Sequence, residues 1–213
     1  MRYRRVLFDC DSTLSAVEGI DELARRAGVG DEVAELTARA MAGAIPLESI
    51  YGRRLELIRP DRAALEWLAA RYLERITPGA PETIGALQAE GVAVDLVSGG
   101  LRPALLPLAT ALGLTEDRVH AVDVRLGEAG GYLDFERDYP LARSGGKAEV
   151  VRRVRAPGEP VAMVGDGITD LETMEAGADF IGFGGVVVRE AVKSAAPVYV
   201  EEPDLRVVLE YLR

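Results

Sequence analysis

The segment Arg5-Val6-Leu7-Phe8-Asp9-Cys10-Asp11-Ser12-Thr13 decides the predicted fold, because a short apolar run ends abruptly in two acids. Its apolar half is typical of a buried strand. Asp9 and Asp11 are two residues apart, so on an extended backbone their side chains point the same way. Cys10 then points the opposite way and should pack in the core. Two carboxylates on one side of a strand end predict a polar site at the edge of a sheet.

Strands alternate with helices after residue 77. Three further apolar runs end in polar or glycine-rich segments, which are Ser98-Gly99-Gly100, Gly165-Asp166-Gly167 and Phe183-Gly184-Gly185. This alternation predicts an α/β fold with a Rossmann-like parallel sheet, whose ligands bind beyond the carboxyl ends of the strands. Asp9 and Asp11 should therefore lie close to Ser98 and Asp166 in the folded protein. The runs 119–126 and 132–136 flank a glycine-rich turn and predict a β-hairpin.

Residues before 77 have a different pattern, with helical periodicity in four successive stretches. The breaks between them include Gly28-Val29-Gly30 and Arg59-Pro60-Asp61. Leu65, Leu68 and Tyr72 recur at helical spacing and should face a core. We therefore predict a core domain formed by residues 1–14 and 77–213, with a small helical-bundle cap inserted at 15–76.

Composition limits the classes of function. The chain has 213 residues, 48% of them hydrophobic, which suits a globular domain with a smaller insertion. A net charge of −10 argues against nucleic acid or an anionic membrane as a partner. No apolar run reaches the roughly 18 residues of a membrane helix, and Asp9 interrupts the first apolar stretch too early for a signal peptide. A single cysteine excludes an internal disulfide, so we expect a cytoplasmic protein.

The acids at the strand ends point to a metal. A single Asp at a strand end is usually an ordinary turn residue, but here Asp9-x-Asp11 is accompanied by Gly165-Asp166-Gly167-x-x-Asp170. Carboxylates gathered at one sheet edge repel one another unless a cation lies between them. Oxygen ligands combined with a phosphate suit Mg²⁺. Lys147, at a predicted helix start where cations are disfavoured, indicates a need for a compact positive charge near these acids.

Taken together, these motifs resemble those of the haloacid-dehalogenase-like (HAD) phosphatases. Within that superfamily, the similarity is closest to the phosphoserine phosphatase family. It extends over about residues 5–212, and its more specific segments are Glu18-Gly19-Ile20-Asp21-Glu22-Leu23-Ala24, Arg39-Ala40-Met41, Ser144-Gly145-Gly146-Lys147 and Phe180-Ile181-Gly182-Phe183-Gly184-Gly185. The resemblance implies the HAD fold and the helical cap.

The resemblance also implies a mechanism. Asp9 would be the nucleophile and would form an aspartyl-phosphate, and Asp11 would act as acid and then as base. Mg²⁺ would be held by Asp9, Asp166 and the backbone carbonyl of Asp11, with Asp170 supporting the metal site from behind. The reaction would convert O-phosphoserine to serine and phosphate, the last step of serine biosynthesis.

Substrate-binding roles follow from the same resemblance. The phosphate would be bound by Ser98, Gly99, Gly100 and Lys147. Glu18 would bind the substrate ammonium and Arg54 its carboxylate, while Met41 and Thr169 would line the pocket. The expected partner is this small molecule alone, with no nucleic acid or membrane, in a monomer or homodimer. On their own, Glu18 could be a helix-start acid and Arg54 a surface arginine.

Several alternatives stay open at this point. Another HAD-like phosphatase could act on phosphoethanolamine or a sugar phosphate, and a phosphotransferase could pass the group from phosphoserine to homoserine. Glu18 and Arg54 argue for an amino-acid zwitterion instead. A signalling receiver domain also uses acids, a lysine and Mg²⁺ at strand ends, but it is roughly half this length. An inactive interaction protein would not need the complete set of acids.

Overall fold

Strand β1 lies in the middle of a six-stranded sheet in the computed structural model, which describes residues 2–41 and 47–213 and the side chains of 2–37 and 48–213. The strand order is β3-β2-β1-β6-β7-β8, and all five neighbouring pairs are parallel. The strands are β1 (Arg5–Phe8), β2 (Ala93–Leu101), β3 (Val119–Val122), β4 (Val124–Leu126), β5 (Tyr132–Phe135), β6 (Val161–Gly165), β7 (Asp179–Phe183) and β8 (Val198–Val200). Parallel strands put all carboxyl ends at one edge, which confirms the predicted α/β class.

Helices occupy most of the sequence between the strands. They are α1 (Gly19–Ala27), α2 (Gly30–Met41), α3 (Leu47–Ile58), α4 (Arg62–Glu74), α5 (Ala80–Ala89), α6 (Arg102–Ala111), α7 (Gly146–Val154), α8 (Ile168–Leu171), α9 (Glu190–Ala195) and α10 (Leu209–Leu212). Short 3-10 turns occur at Glu116–Arg118, Pro140–Ala142, Glu172–Ala176 and Leu205–Val208. No described helix combines the length and the hydrophobicity that a membrane span requires.

The four helices α1–α4 all lie between β1 and α5, in the stretch predicted as the cap. The Asp61 side chain caps α4 by accepting a hydrogen bond from the backbone N–H of Ala64 at 2.7 Å. The predicted core positions Leu65, Leu68 and Tyr72 are all buried. Helix α4 packs against α6, so this segment is held against the sheet domain.

Two chain segments connect α1–α4 to the sheet, and they are tied to each other. Ser15 forms isolated β-bridges with both Asp11 and Ile76. Its hydroxyl lies 2.9 Å from the carbonyl of Arg75, and the N–H of Ala16 donates to the same carbonyl at 2.8 Å. The outgoing and returning segments therefore form one hydrogen-bonded joint.

The structure corrects the predicted hairpin. Residues 119–126 are not one strand, because β3 pairs with β2 in the main sheet and only β4 pairs with β5 in an antiparallel ribbon. Asp123 separates the two, and its carbonyl accepts the N–H of Glu136. Strand β2 is also longer than predicted. It continues through Ser98-Gly99-Gly100 with a register shift between Val97 and Leu101, which re-aims the backbone at the sheet edge.

Candidate active site

Asp9 and Lys147 form a buried ion pair at the carboxyl edge of the sheet. The Lys147 ammonium lies 2.7 Å from Oδ1 of Asp9 and 2.6 Å from Oδ1 of Asp170. Asp9 directly follows β1, Lys147 is in the first turn of α7, and Asp170 lies in α8. Burial alone lowers the pKa of Lys147, but the charges of Asp170 and Asp9 outweigh it and raise the pKa. The lysine is therefore held charged between two carboxylates.

The Asp170 carboxyl group lies so close to residue 165 that this residue must be glycine. Its Oδ2 accepts the backbone N–H of Gly167 at 2.9 Å. A Cβ built on Gly165 would overlap the Asp170 carboxyl group. Burial, followed by the charge of Asp9, raises the pKa of Asp170 well above its usual range. Its position explains why the motif that ends in Asp170 begins with glycine.

Asp166 is bound by a residue that sequence analysis did not single out. Arg189 Nε lies 2.6 Å from Oδ2 of Asp166, and the Thr13 hydroxyl lies 3.3 Å from Oδ1. Burial and the charge of Asp9 raise the pKa of Asp166 to about 6 in spite of Arg189. The same guanidinium reaches Oε1 of Glu18 at 2.8 Å through Nη2. Arg189 thus joins the end of β6 to the start of α1.

These acids suit a metal ion. Carboxylate oxygens of Asp9, Asp166 and Asp170 all lie within 4.8 Å of one another, and the three side chains are buried. Buried like charges at this separation require cations, and an all-oxygen set matches a hard divalent ion. The Asp11 carboxylate does not belong to this group.

Asp11 is oriented by two donors on its two oxygens. The Tyr72 hydroxyl donates to Oδ1 at 2.6 Å and the backbone N–H of Gly19 donates to Oδ2 at 2.8 Å. Burial, followed by the charge of Glu18, raises the pKa of Asp11 to about 7. A carboxyl group that is partly protonated near neutral pH can give a proton to a leaving group and later accept one.

The end of β2 forms the other side of the site. The Ser98 side chain is buried and its Oγ accepts the N–H of Gly100 at 3.0 Å. The carbonyl of Gly99 accepts the Tyr51 hydroxyl of α3 at 2.7 Å. This hydrogen bond connects α3 to the end of β2, which carries the predicted phosphate-binding residues.

Glu18 has a cationic partner, whereas Arg54 has no anionic partner among the described residues. Oε1 of Glu18 accepts both the Ser12 hydroxyl at 2.7 Å and Arg189. Arg54 has no ion pair with any described acid, and its Nε is buried without a hydrogen-bond partner among the described residues. Residues 38–47, whose side chains the structure does not describe, include no acid. Burial lowers the pKa of Arg54. A half-buried guanidinium without a carboxylate partner is suited to an anionic ligand.

One cleft of about 260 Å³ brings most of the predicted residues together. Its lining includes Asp9, Asp11, Glu18, Arg54, Ser98, Gly99, Gly100, Lys147 and Thr169. Asp166 and Asp170 lie behind this lining, next to Asp9. The side chain of Met41 lies outside the described residues, so its predicted position in the pocket wall stays a prediction.

Three residues of the site were missed from sequence. Tyr51 and Tyr72 line the cleft, and Arg189 contacts two of its acids. Tyr72 was assigned only to the core, and helical spacing says nothing about a hydroxyl partner. Arg189 lies six residues after β7, which neighbours β6 in the sheet, but no local sequence feature distinguishes it from the other arginines.

Comparison with known proteins gives consistent results. A family model described as a haloacid dehalogenase-like hydrolase matches residues 3–177. The chain is 42% identical over 195 residues to "Phosphoserine phosphatase, chloroplastic" of Arabidopsis thaliana, covering 90% of this chain and 66% of that protein. It is 40% identical over 199 residues to the phosphoserine phosphatase of Homo sapiens, covering 92% and 88%. A solved structure described as a phospho-aspartyl intermediate analogue of phosphoserine phosphatase superposes with a TM-score of 0.84 at 31% identity, covering 100% of both chains.

Proposed function

Because the chain belongs to the haloacid dehalogenase-like hydrolases and, within them, to the phosphoserine phosphatase family, we propose that it hydrolyses O-phosphoserine to serine and phosphate. One observation carries the choice of substrate. The cleft contains the buried Asp9–Lys147 pair and, in the same space, the guanidinium of Arg54, which has no ion pair with a described acid. A phosphate at the first and a carboxylate at the second satisfy both ends of a phosphorylated amino acid.

The first chemical step uses Asp9 and Asp11. A carboxylate oxygen of Asp9 forms a bond to phosphorus while the bond from phosphorus to the serine oxygen breaks. Asp11 gives its proton to the departing serine oxygen. Its pKa of about 7 keeps a substantial fraction protonated near neutral pH. Lys147 holds Asp9 in place and offsets the charge of the incoming phosphate.

The second step reverses the role of Asp11. Its carboxylate takes a proton from a water molecule, the water oxygen bonds to phosphorus, and the bond to Asp9 breaks. Phosphate leaves and Asp9 returns to its starting state. The two fixed donors on Asp11, Tyr72 and Gly19, leave the acid in place for both steps.

Substrate recognition is assigned to groups around the cleft. Ser98, Gly99, Gly100 and Lys147 bind the phosphate, Arg54 the carboxylate, and Glu18 the ammonium. Oε1 of Glu18 already contacts Arg189, so the ammonium binds Oε2 or replaces the guanidinium. We further propose that residues 15–76 act as the cap over the cleft, with Met41 and Thr169 in the pocket wall.

Mg²⁺ is the proposed cofactor, held by Asp9, Asp166 and the carbonyl of Asp11, with Asp170 behind them. When bound, it offsets negative charge on the phosphate and on the acids around it. Five carboxylates of the site, Asp9, Asp11, Glu18, Asp166 and Asp170, face the three cations Lys147, Arg54 and Arg189, which leaves a net charge of −2 before substrate binds. Without Arg189, the same count would be −3.

A substrate panel with product analysis tests this function. The purified chain is assayed with O-phosphoserine, phosphoethanolamine and a sugar phosphate, each with Mg²⁺, with excess chelator, and with homoserine added. We expect serine and phosphate from O-phosphoserine, no product in chelator and no phosphohomoserine. Asp9→Asn is the matched control and should be inactive. Equal turnover of phosphoethanolamine, or transfer to homoserine, would assign the chain to a different activity.

A further inference from the structure

Tyr72 contacts Asp11, the proposed acid, but takes no part itself in the bonds that form and break during hydrolysis. Its ring is fully buried on the last turn of α4, and its hydroxyl donates to Oδ1 of Asp11 at 2.6 Å. The N–H of Gly19, at the start of α1, donates to the other oxygen at 2.8 Å. Two donors from two elements, one on each oxygen, fix the rotation of the carboxyl group about its bond to Cβ. Loss of either donor leaves a single hydrogen bond to hold that rotation.

The surrounding backbone is adapted to admit this phenol. A Cβ built on Gly19 would collide with the Tyr72 hydroxyl and lie 3.1 Å from Cζ. Gly19 has ordinary helical geometry, so no left-handed conformation requires glycine there. The need for glycine at this position comes from the space that Tyr72 occupies.

Tyr72 is also anchored to the segment that carries Asp11. Its backbone carbonyl accepts the Ser15 hydroxyl at 3.1 Å, within the joint formed by Ser15 and Arg75. Ser15 in turn bridges to Asp11. The separation of phenol and carboxyl group is therefore set by the joint and does not depend on the outer helices α2 and α3.

We propose that Tyr72 is a positioning residue that holds the Asp11 carboxyl group in the orientation needed to protonate the leaving oxygen. This inference rests on the proposed role of Asp11. An alkyl leaving group such as the serine oxygen needs a proton as the bond to phosphorus breaks. An aryl leaving group such as p-nitrophenolate departs without one. A residue that orients the acid must therefore matter for alkyl phosphates and not for aryl phosphates.

The test compares the two kinds of ester in Tyr72→Phe, which keeps the ring and removes the hydroxyl. We expect kcat/KM for O-phosphoserine to fall by about 10- to 100-fold, the size of effect that a misplaced reacting group produces. Because kcat/KM reports events up to departure of the leaving group, the value for p-nitrophenyl phosphate should change by less than about twofold. Gly19→Ala displaces the phenol by a second route and should show the same selectivity.

Tyr132→Phe is the matched control. Tyr132 is another buried tyrosine, and its hydroxyl has no partner among the described residues. The Tyr132→Phe variant should leave kcat/KM unchanged for both esters. An equal fall of kcat/KM for both esters in Tyr72→Phe, or no fall for either, would overturn the proposal. If the wild-type chain prefers another alkyl phosphate, that ester replaces O-phosphoserine, because the comparison depends on leaving-group basicity. Failure of the proposed substrate is thereby separated from failure of the Tyr72 inference.

Discussion

Replacing Arg54 by Met should make the protein more stable while impairing its recognition of O-phosphoserine. Arg54 Nε is buried without a partner among the described residues. Nη1 of the same side chain donates a long hydrogen bond of 3.4 Å to the Thr37 hydroxyl. A buried unsatisfied donor costs about 1–3 kcal/mol. The guanidinium regains part of this by lying 5.7 Å from the Tyr51 ring centroid, a contact worth about 0.5–1 kcal/mol.

The net gain for Arg54→Met is therefore about 1 kcal/mol, which corresponds to a rise in melting temperature of about 2–4 °C for a chain of this size. Binding should change in the opposite direction. The substrate carboxylate loses a charged hydrogen bond worth about 1.5–3 kcal/mol, so KM for O-phosphoserine should rise about 10- to 100-fold. Phosphoethanolamine, which has no carboxylate, should be unaffected.

Thermal unfolding of the ligand-free protein and steady-state kinetics with both substrates measure these effects. Arg53→Met is the matched control, since Arg53 is the neighbouring residue on α3, has a side chain 58% exposed and forms its ion pair among the described residues with Glu56, at 3.4 Å. It should change neither stability nor KM. A lower melting temperature for Arg54→Met, or an unchanged preference for O-phosphoserine over phosphoethanolamine, would refute the reasoning.

Three further outcomes are expected. Lys147→Met leaves Asp9 and Asp170 buried without their cation and should lower the free energy of unfolding by about 3–5 kcal/mol. Denaturant titrations should show a loss that becomes smaller as pH falls, because Asp170, whose pKa is raised, takes up a proton. Burial alone raises the pKa of Asp95, but His120 and Arg5 outweigh it and lower the pKa. The stability that Asp95 contributes is thus present above its unfolded pKa of about 3.9 and lost as pH falls from there through its lowered folded pKa. Asp95→Asn should therefore destabilise by about 1–3 kcal/mol at pH 7 and not at a pH below the folded pKa. Calorimetric titration of Mg²⁺ should detect binding to the wild-type chain and none to Asp166→Ala, and equal binding to both would remove Asp166 from the metal site.

The acids and Lys147 could be predicted because their positions follow from chain order. Parallel strands bring their carboxyl ends to one edge, so an acid that ends an apolar run has a defined location. Asp9 and Asp166 follow β1 and β6, which are neighbours in the sheet. Asp170 lies four residues beyond Asp166 on the next helix, where its Oδ1 reaches Lys147. Local spacing was sufficient for these residues.

Arg189 could not be predicted in the same way. The sequence has many arginines, and only the adjacency of β6 and β7 selects the one that reaches Asp166. Asp95 did carry a signal, since an acid within an apolar strand must be paired, and in the structure Arg5 lies 2.5 Å from its Oδ2. The hairpin prediction was wrong only for residues 119–122, because the apolar run 119–126 offers no local sign that it divides between two sheets.

The central place of β1 determines when this protein can start to work during its synthesis. β1 pairs with β2 through Arg5–Phe8 and Ala93–Leu96, and with β6 through the same residues and Val161–Val164. Asp9, the proposed nucleophile, is therefore synthesised well before the strand that completes its surroundings, because β6 begins only at Val161. Until β6 is made, at least one apolar edge of β1 lacks its partner strand and is available for mispairing with other chains. A ribosome-stalled fragment that ends before β6 should therefore be inactive and prone to aggregation.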